Sequence, residues 1–409
     1  MVQIELSELE TLIVGLIALL AGTSLRRRVQ LLKRVAVPNA VVGAAIVAII
    51  VLILSSFFKI DTAFATRLRD VMLLVFFATI GLGAKLSQLR AGGRPLVILC
   101  AVTVLLIVLQ NLVGVAVATA WGANPIYGLL AGGLSFIGGL GTALAWAREA
   151  EAVGIGNAQV VGVGAATLAV ISGALIAGPF TGWLVQRHGL QPGSTRKDGP
   201  APAPPERSNS AADFGLEPLF WTLLLLSIVV LVGDKLNDWA RANGLIMPGF
   251  LTAMLVGVAL ANVADALRFR VDDLLVQKAG DIALNLFLVI SLMSVKLSAV
   301  AAVLAPLAIN LALQLTLALA IGYFVLFRLL GRDYDAAVSV GGFLGFGVSS
   351  MPVAMATMDE IVKKFGPAPK AFLLVTLAGA FFVDLANAVV TKAFLMFPYL
   401  ASAIRAANI

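Results

Sequence analysis

The chain has 409 residues, of which 60% are hydrophobic and only 12% charged, against about 25% charged in an ordinary soluble domain. With a mean hydropathy of +1.01 it cannot clothe itself in a water-facing surface, which excludes soluble enzymes, nucleic-acid binders and disordered tails; the expected solvent is the lipid bilayer, with no nucleic-acid partner. The net charge of +7 fits the excess of Lys and Arg that membrane proteins carry in cytoplasmic loops.

The N-terminal MVQIELSELE is acidic and lacks a basic n-region, so the first apolar segment reads as a retained helix and not as a cleaved signal. A crossing takes about 20 apolar residues. The first half offers spans near 8–25, 37–57, 70–84, 95–120 and 159–186. Arg26, Arg27, Arg28, Lys33 and Arg34 follow the first span, and Lys85, Arg90 and Arg94 follow the third. Both loops are therefore expected inside, with the N-terminus outside. Cys100 and His188 are each the sole residue of their kind. That excludes an intramolecular disulfide, a thiolate metal cluster and a multi-histidine site.

Between the fourth and fifth spans lies a Gly-rich stretch, 127–157, read as a re-entrant hairpin that enters and leaves on the outer face. Gly138, Gly139 and Gly141 permit a tight turn and bring a ligand close to bare backbone N–H groups. A helix starting after Thr142 would aim its positive dipole end at a carboxylate there, with Ser135 and Thr142 beside the turn. Tight helix packing is the alternative use of such glycines.

Residues 189–215 carry the long polar segment, rich in Pro, Ser and charge, including Arg196, Lys197 and Arg207. This is a flexible cytoplasmic linker by composition. It separates an N-terminal unit, 1–188, from a C-terminal unit, 216–409. The second unit offers spans near 217–233, 246–263, 281–295, 299–327 and 371–397, with a second Gly-rich hairpin at 334–357 entering from the cytoplasm. There Gly345 and Gly347 precede Ser349 and Ser350, and Pro352 suits the first turn of a returning helix. Freed carbonyls and hydroxyls at such a break are hard oxygen ligands for sodium, although paired serines also bond their own backbone.

The last span holds the costliest residue, Asp384, since a mid-membrane carboxylate costs about 2.5–3.5 kcal/mol on insertion scales. Thr376, Asp384, Asn387 and Thr391 share an arc of about 80° on that helix. The stripe reads as a cation site or as an interhelical hydrogen-bond network. Asn111, Asn310 and Gln314 read as interhelical glue, and Arg148 as a partner of Glu149 or Glu151.

Five spans per half require the halves to face opposite ways. Asp70 to Lys85-Leu86 repeats as Asp281 to Lys296-Leu297, Val37-Pro38 as Met247-Pro248, and Gly139-Leu-Gly141 as Gly345-Phe-Gly347, at an offset of about 206–211 residues. The fold class expected is an all-α polytopic membrane protein of ten transmembrane helices. These form two inverted five-helix repeats, each with a Gly-rich re-entrant hairpin, and both termini lie outside a cell (inner) membrane. Inverted repeats supply the two packings of a secondary transporter working by alternating access.

Phe76-Phe-Ala-Thr-Ile-Gly-Leu-Gly83, Leu89-Arg-Ala-Gly-Gly-Arg94, Gly138-Gly-Leu-Gly-Thr142, Asp333-Tyr-Asp-Ala-Ala-Val338, Phe365-Gly-Pro367 and Gly379-Ala-Phe-Phe-Val-Asp-Leu-Ala-Asn-Ala388 together resemble the glutamate:sodium symporter family. The resemblance implies ten spans, two re-entrant loops and sodium-coupled uptake of glutamate. It also implies a homodimer that moves a transport domain against a scaffold, an elevator. Where members often carry His in the first loop motif, this chain has Leu140. The substrate-binding residues expected are Ser135, Gly138, Gly139, Gly141, Thr142, Gly345, Gly347 and Ser349. Those expected at sodium are Ser349, Ser350, Asp384 and Asn387, with no organic cofactor.

The runner-up is a proton-coupled or exchange carrier for another carboxylate, with Asp384 carrying the proton. A membrane-embedded enzyme has one His and one Cys to build from, and a channel fits poorly with repeats of unequal polar content. No P-loop pattern is present, so an ion gradient is the expected energy source.

Overall fold

A computed structural model describes residues 2–29, 38–85, 87, 92–192, 216–243, 248–267, 271–293 and 300–407. The linker beyond residue 192, Met247 and the Lys296-Leu297 pair lie outside these residues, and so do the expectations placed on them.

A four-residue strand, β1 (Val2–Glu5), leads into α1 (Glu8–Arg28). Ser7 and Glu10 form a reciprocal cap at its start: the Glu10 carboxylate accepts from the Ser7 N–H at 2.8 Å and the Ser7 hydroxyl accepts from the Glu10 N–H at 3.4 Å. Helix α2 (Asn39–Phe58) starts directly after Pro38, whose fixed φ suits a helix entry. Strand β2 (Ile60–Ala63) then pairs in parallel with β1, Val2 opposite Ile60. This small sheet is the one departure from the all-α expectation among the described residues. The Glu8 carboxylate caps the next helix, α3 (Arg67–Gly83), by accepting from the N–H groups of Arg67 and Leu68 at 3.1 and 3.0 Å. One acidic side chain thus ties the start of α1 to the start of α3.

The chain continues through α4 (Gly93–Ala120), the short α5 (Pro125–Leu130) and α6 (Gly133–Phe136), α7 (Gly139–Ala152) and α8 (Ala158–Arg187). After the linker come α9 (Leu216–Ala242), α10 (Gly249–Ala266), entered from Pro248 as α2 is from Pro38, and α11 (Asp273–Met293). Helix α12 (Val300–Ala320) runs through a π-helical turn, Ile321–Leu326, to Leu329. Next are α13 (Tyr334–Val348), α14 (Met351–Phe365) and α15 (Pro369–Leu377). A second π turn, Ala378–Phe382, joins α15 to α16 (Val383–Leu395), and α17 (Pro398–Ala407) follows.

Eight helices are long and apolar enough to cross a membrane, and nine if the bent pair Val383–Leu395 and Pro398–Ile404 is one span. The protein is therefore a multi-pass membrane protein by length and composition. Two of the ten expected spans fall outside the eight: α3 has 17 residues, and the last is interrupted by its π turn. Large apolar side chains stay exposed along α1, α2 and α9, with Leu20 69%, Phe57 81% and Leu231 60% exposed. That is the inverse of a water-soluble surface and suits contact with lipid tails.

The helices pack in two groups. In one, α1 lies on α2 and α11, α3 on α10 and α11, and α9 on α10; in the other, α4, α8, α12 and α16 surround the short helices α5–α7 and the pair α13–α14. The groups meet where Trp146 of α7 packs edge-on against Phe250 of α10 at 5.6 Å, with Phe77 of α3 4.6 Å further on. On the same seam Asp70 accepts from Arg148 at 2.8 Å and from Arg69 at 3.0 Å. The expected partners of Arg148, Glu149 and Glu151, do not pair with it, because Glu151 accepts from the backbone N–H of Gln159 at 3.0 Å instead. Asp281 marks no span end either: α11 begins eight residues earlier, where Asp272 accepts from the N–H groups of Leu274 and Leu275 at 3.0 Å.

Helices α3 and α10 approach so closely that a Cβ on Gly81 would lie 2.2 Å from the Met254 carbonyl oxygen, while one on Gly83 would meet nothing within 4 Å. Gly81→Val should therefore destabilise the protein by about 3 kcal/mol, the upper range for overpacking. Gly83→Val should leave thermal unfolding in detergent unchanged, which serves as the internal control.

Candidate functional site

Both Gly-rich stretches fold back on themselves. In the first, α5 and α6 run in and α7 runs out, and the Tyr127 hydroxyl donates to the Gly156 carbonyl, tying the two feet together. In the second, α13 runs in and α14 runs out, and the Tyr334 hydroxyl donates to the Gly366 carbonyl at 2.6 Å. Asp333 caps α13 by accepting from the Ala336 N–H at 2.7 Å. Pro352 sits in the first turn of α14, as its fixed φ favours. The second pair runs on to Phe365, eight residues beyond the expected boundary at 357.

The tips meet. Gly139 has φ +68°, a left-handed conformation that a Cβ would strain, and a Cβ placed there would lie 3.5 Å from the Ser349 carbonyl oxygen. Helix α7 starts at Gly139 and not after Thr142, so Gly141 and Thr142 lie within its first turn, and α14 starts just after Ser350. Two helix N-termini, each with a positive dipole end, therefore converge on one spot; α14 brings to it only the Met351 N–H, because Pro352 has none and the Val353 and Ala354 N–H groups bond the Ser350 carbonyl at 3.1 Å. Gly141 packs beside Phe76 and Leu284. Phe76 also lines a cavity of about 330 Å³ with Thr79, Gln277, Gly280, Asp273 and Asp281. Lys85 closes one edge of it with an ion pair to Asp273 at 2.7 Å.

Helix breaks at membrane depth leave backbone groups that must be bonded within the protein. Four amide side chains do this, and a fifth, Gln314, braces the helix that carries two of them. The Asn111 Oδ1 accepts from the Gly133 N–H, and the Asn387 Nδ2 donates to the Gly133 carbonyl, both at 2.9 Å. Asn310 donates to the Ala131 carbonyl at 2.6 Å. Gln110 donates to the Gly347 carbonyl and Gln314 to the Gln110 carbonyl, both at 2.9 Å. Asn111, Asn310 and Gln314 thus act as the interhelical glue expected of them. Gln110 was not singled out from the sequence, although it lies beside Asn111 in a span otherwise almost devoid of amides.

The other expected residues divide by surroundings. Ser135 is fully buried, with its hydroxyl against the Leu130 and Gly162 carbonyls. Gly138 is closed in by the Leu134 carbonyl and Thr142, Gly345 lies flush against the Ala354 backbone, and Gly347 faces Leu106. Ser349 is fully buried beside Gly173. Asn387 is fully buried beside Gly133. No hydrogen bond among the described residues joins the Ser349–Ser350 pair to Asp384 or Asn387. The Ser349 hydroxyl, the Asn387 Oδ1, the Thr391 hydroxyl and the Oε1 atoms of Gln110 and Gln314 are buried oxygens without a hydrogen-bond partner. Among the described residues no three His, Cys, Asp or Glu side chains converge as a metal cluster.

Asn310→Leu keeps the side-chain volume and removes the donor to Ala131. It should lower stability by about 1–3 kcal/mol, the desolvation cost of a buried carbonyl. Thermal unfolding in detergent measures this, and an unchanged midpoint would show that the helix break needs no such partner.

The sodium/glutamate symporter family profile matches residues 4–367. The sodium/glutamate symporter of Escherichia coli (strain K12) is 37% identical over 398 residues, which cover 97% of this chain and 99% of that protein. The protein of the same description from Shigella flexneri matches equally, at 37% over 398 residues. That of Haemophilus influenzae is 36% identical over 390 residues, 94% of this chain and 96% of its own length. With these matches running almost end to end over both hairpins and the helices that hold them, the chain belongs to the sodium/glutamate symporter family.

Proposed function

We propose that the chain is a sodium-coupled symporter of glutamate or a related anionic amino acid, working by elevator-type alternating access. The observation that carries the reading is the convergence of two helix N-termini where the hairpin tips meet. One positive end attracts one carboxylate, and two at a single spot suit a substrate with two. The bare N–H groups after Gly138 and that of Met351 are the proposed carboxylate donors, with Thr142 and Ser349 beside them and Gly139, Gly141 and Gly347 at the tips; Gly345 serves instead the close packing of α13 on α14. Ser135 supports the first hairpin from behind.

The proposed architecture is ten spans in two inverted five-helix repeats. It is supported by contacts that recur between halves: Tyr127 with Gly156 and Tyr334 with Gly366 at the hairpin feet, and Gly133 beside Asn387 as Gly341 is beside Thr181. Because the feet of each hairpin lie together, each is proposed to enter and leave on one side of the membrane. The charge bias argues for both termini outside and the linker in the cytoplasm. The group of α1–α3 and α9–α11 is the proposed scaffold, the group bearing the hairpins the proposed moving body, and the 330 Å³ cavity beside Phe76 the proposed inner vestibule. The homodimer rests on the family resemblance.

Sodium is assigned to the Asp384 carboxylate, the Asn387 Oδ1 and the hydroxyls of Ser349 and Ser350. The unpartnered, buried Asn387 and Ser349 oxygens are its best-supported ligands, since a desolvated acceptor without a donor is a standing cost that a cation removes.

Gly139→Leu should abolish counterflow of labelled glutamate in proteoliposomes while the protein remains folded; full uptake by that variant would remove the tip from the site. Asp384→Asn keeps volume and one oxygen. Its half-saturating sodium concentration should rise about tenfold or more, equivalent to roughly 1.4 kcal/mol of lost ion binding. A well-folded variant with an unchanged sodium midpoint would overturn the ion assignment. Loss of pH dependence at an unchanged sodium midpoint would favour the proton-coupled carrier.

A further inference from the structure

Away from the hairpin tips, the outward face of α8 carries Leu175, Pro179, Trp183 and Arg187 at four-residue spacing, one ridge of a helix. Leu175 is 57% and Trp183 45% exposed, so the ridge runs from an aliphatic side chain through an aromatic ring to a cation at the helix end. The Arg187 guanidinium lies 5.8 Å from the Trp183 ring centre. Beside it the π turn after α12 presents a second such ridge: Phe324, 56% exposed, and Arg328 one turn later, 5.6 Å from the Phe324 ring. Tyr323 binds the two together, 5.8 Å from Trp183 and 4.9 Å from Phe324. At the foot of α14 a third cation, Lys364, sits 5.2 Å from the Phe365 ring, which reaches the backbone at Gly182.

Arg187, Arg328 and Lys364 are exposed and make no ion pair among the described residues. Glu360, on the same helix as Lys364, points instead at Gly178, more than a turn deeper. A guanidinium laid on a ring has its orientation set, yet keeps its N–H edge free for two oxygens in a plane. That edge geometry suits a phosphodiester. The order along the α8 ridge, Leu175, the Trp183 ring, then Arg187, is also the order of tail, glycerol region and phosphate in a phospholipid, and the second ridge repeats its last two steps in Phe324 and Arg328. A free phosphate would use the cations alone and leave the aligned apolar side chains without purpose.

We propose that the paired ridges Trp183–Arg187 and Phe324–Arg328 bind one anionic glycerophospholipid. Its phosphate lies between the two guanidinium groups with Lys364 at the edge, and its acyl chains lie along Leu175 and Phe324. The site is at the rim of the helix group that carries both hairpins, and it holds whether or not the transport reading above is correct.

The test uses the full-length protein, delipidated in neutral detergent, with thermal unfolding followed as dioleoylphosphatidylglycerol is added. The anionic lipid should raise the unfolding midpoint saturably, and dioleoylphosphatidylcholine and inorganic phosphate should not. Half-saturation should move up roughly fivefold for Arg187→Gln or Arg328→Gln, at about 1 kcal/mol per basic residue near an anionic headgroup, and about 25-fold for the double variant. Arg187→Lys should retain most of the affinity. An equal response to phosphatidylcholine or to inorganic phosphate, or an unshifted double variant, would overturn the proposal. A second measurement needs no arginine variant. Phosphatidylglycerol with brominated chains should quench a fluorescence component that Trp183→Phe removes, while brominated phosphatidylcholine at the same mole fraction leaves it; equal quenching by both lipids would likewise overturn it.

Discussion

A break in a helix surrounded by apolar side chains exposes peptide groups that no water can satisfy, and everything at the centre of this protein depends on how those groups are bonded. A helix breaks in each Gly-rich stretch, after Leu130 and after Val348. Around these breaks stand Gln110, Asn111, Asn310, Gln314 and Asn387, long enough to reach a backbone carbonyl or N–H and neutral enough to be buried without a counter-charge. All but Gln314, which bonds the Gln110 carbonyl of the unbroken α4, contribute one arm of the amide to hold the broken backbone. In several of them the other arm is left without a partner. The breaks are held rigidly, while unused oxygens remain close to the meeting point of the tips.

That arrangement separates two electrical environments within a short distance. Helices α7 and α14 point their N-termini at the meeting point and so favour anions. Helix α13 ends there in carbonyls, and unpartnered side-chain oxygens surround it, an environment that favours a cation. An acidic substrate and a cation bound side by side would each reduce the cost of desolvating the other, which is one physical route to coupling their binding. Neither environment requires a formal positive charge among buried apolar side chains, where such a charge is expensive.

The seam between the two helix groups has a different character. Its contacts include the edge-on pair Trp146 and Phe250, the approach of Gly141 to Phe76 and Leu284, and one ion pair across it, Arg148 to Asp70. Within the first group, by contrast, α3 and α10 touch backbone to backbone at Gly81 and Gly257. Backbone contact through small residues locks helices together, whereas a few large rings and one ion pair form an interface with fewer fixed points. The proposed division into scaffold and moving body follows this contrast.

Membrane residence, the position of most helices and both Gly-rich breaks were legible in the sequence because each rests on local properties. Runs of apolar residues, Pro38 and Pro248 ahead of helices and Pro352 in a first turn act over a few residues and need no distant partner. The conspicuous Asp384 was equally visible, since any carboxylate in an apolar run stands out. What the sequence could not decide was which polar side chain meets which. Arg148 has two acids within three residues, yet it pairs with Asp70, seventy-eight positions away along the chain, because α7 turns that face to α3. Asn387 reads along its own helix as a neighbour of Asp384 and Thr391, yet its amide nitrogen reaches across to the Gly133 carbonyl in the first hairpin. Gln110, next to Asn111, shows no role of its own in the sequence, because the Gly347 carbonyl that it bonds is brought to it only by folding. Helix formation is dictated by neighbours along the chain, whereas the hydrogen bonds of a broken helix are completed by whichever helices pack against it, and only the tertiary structure chooses those.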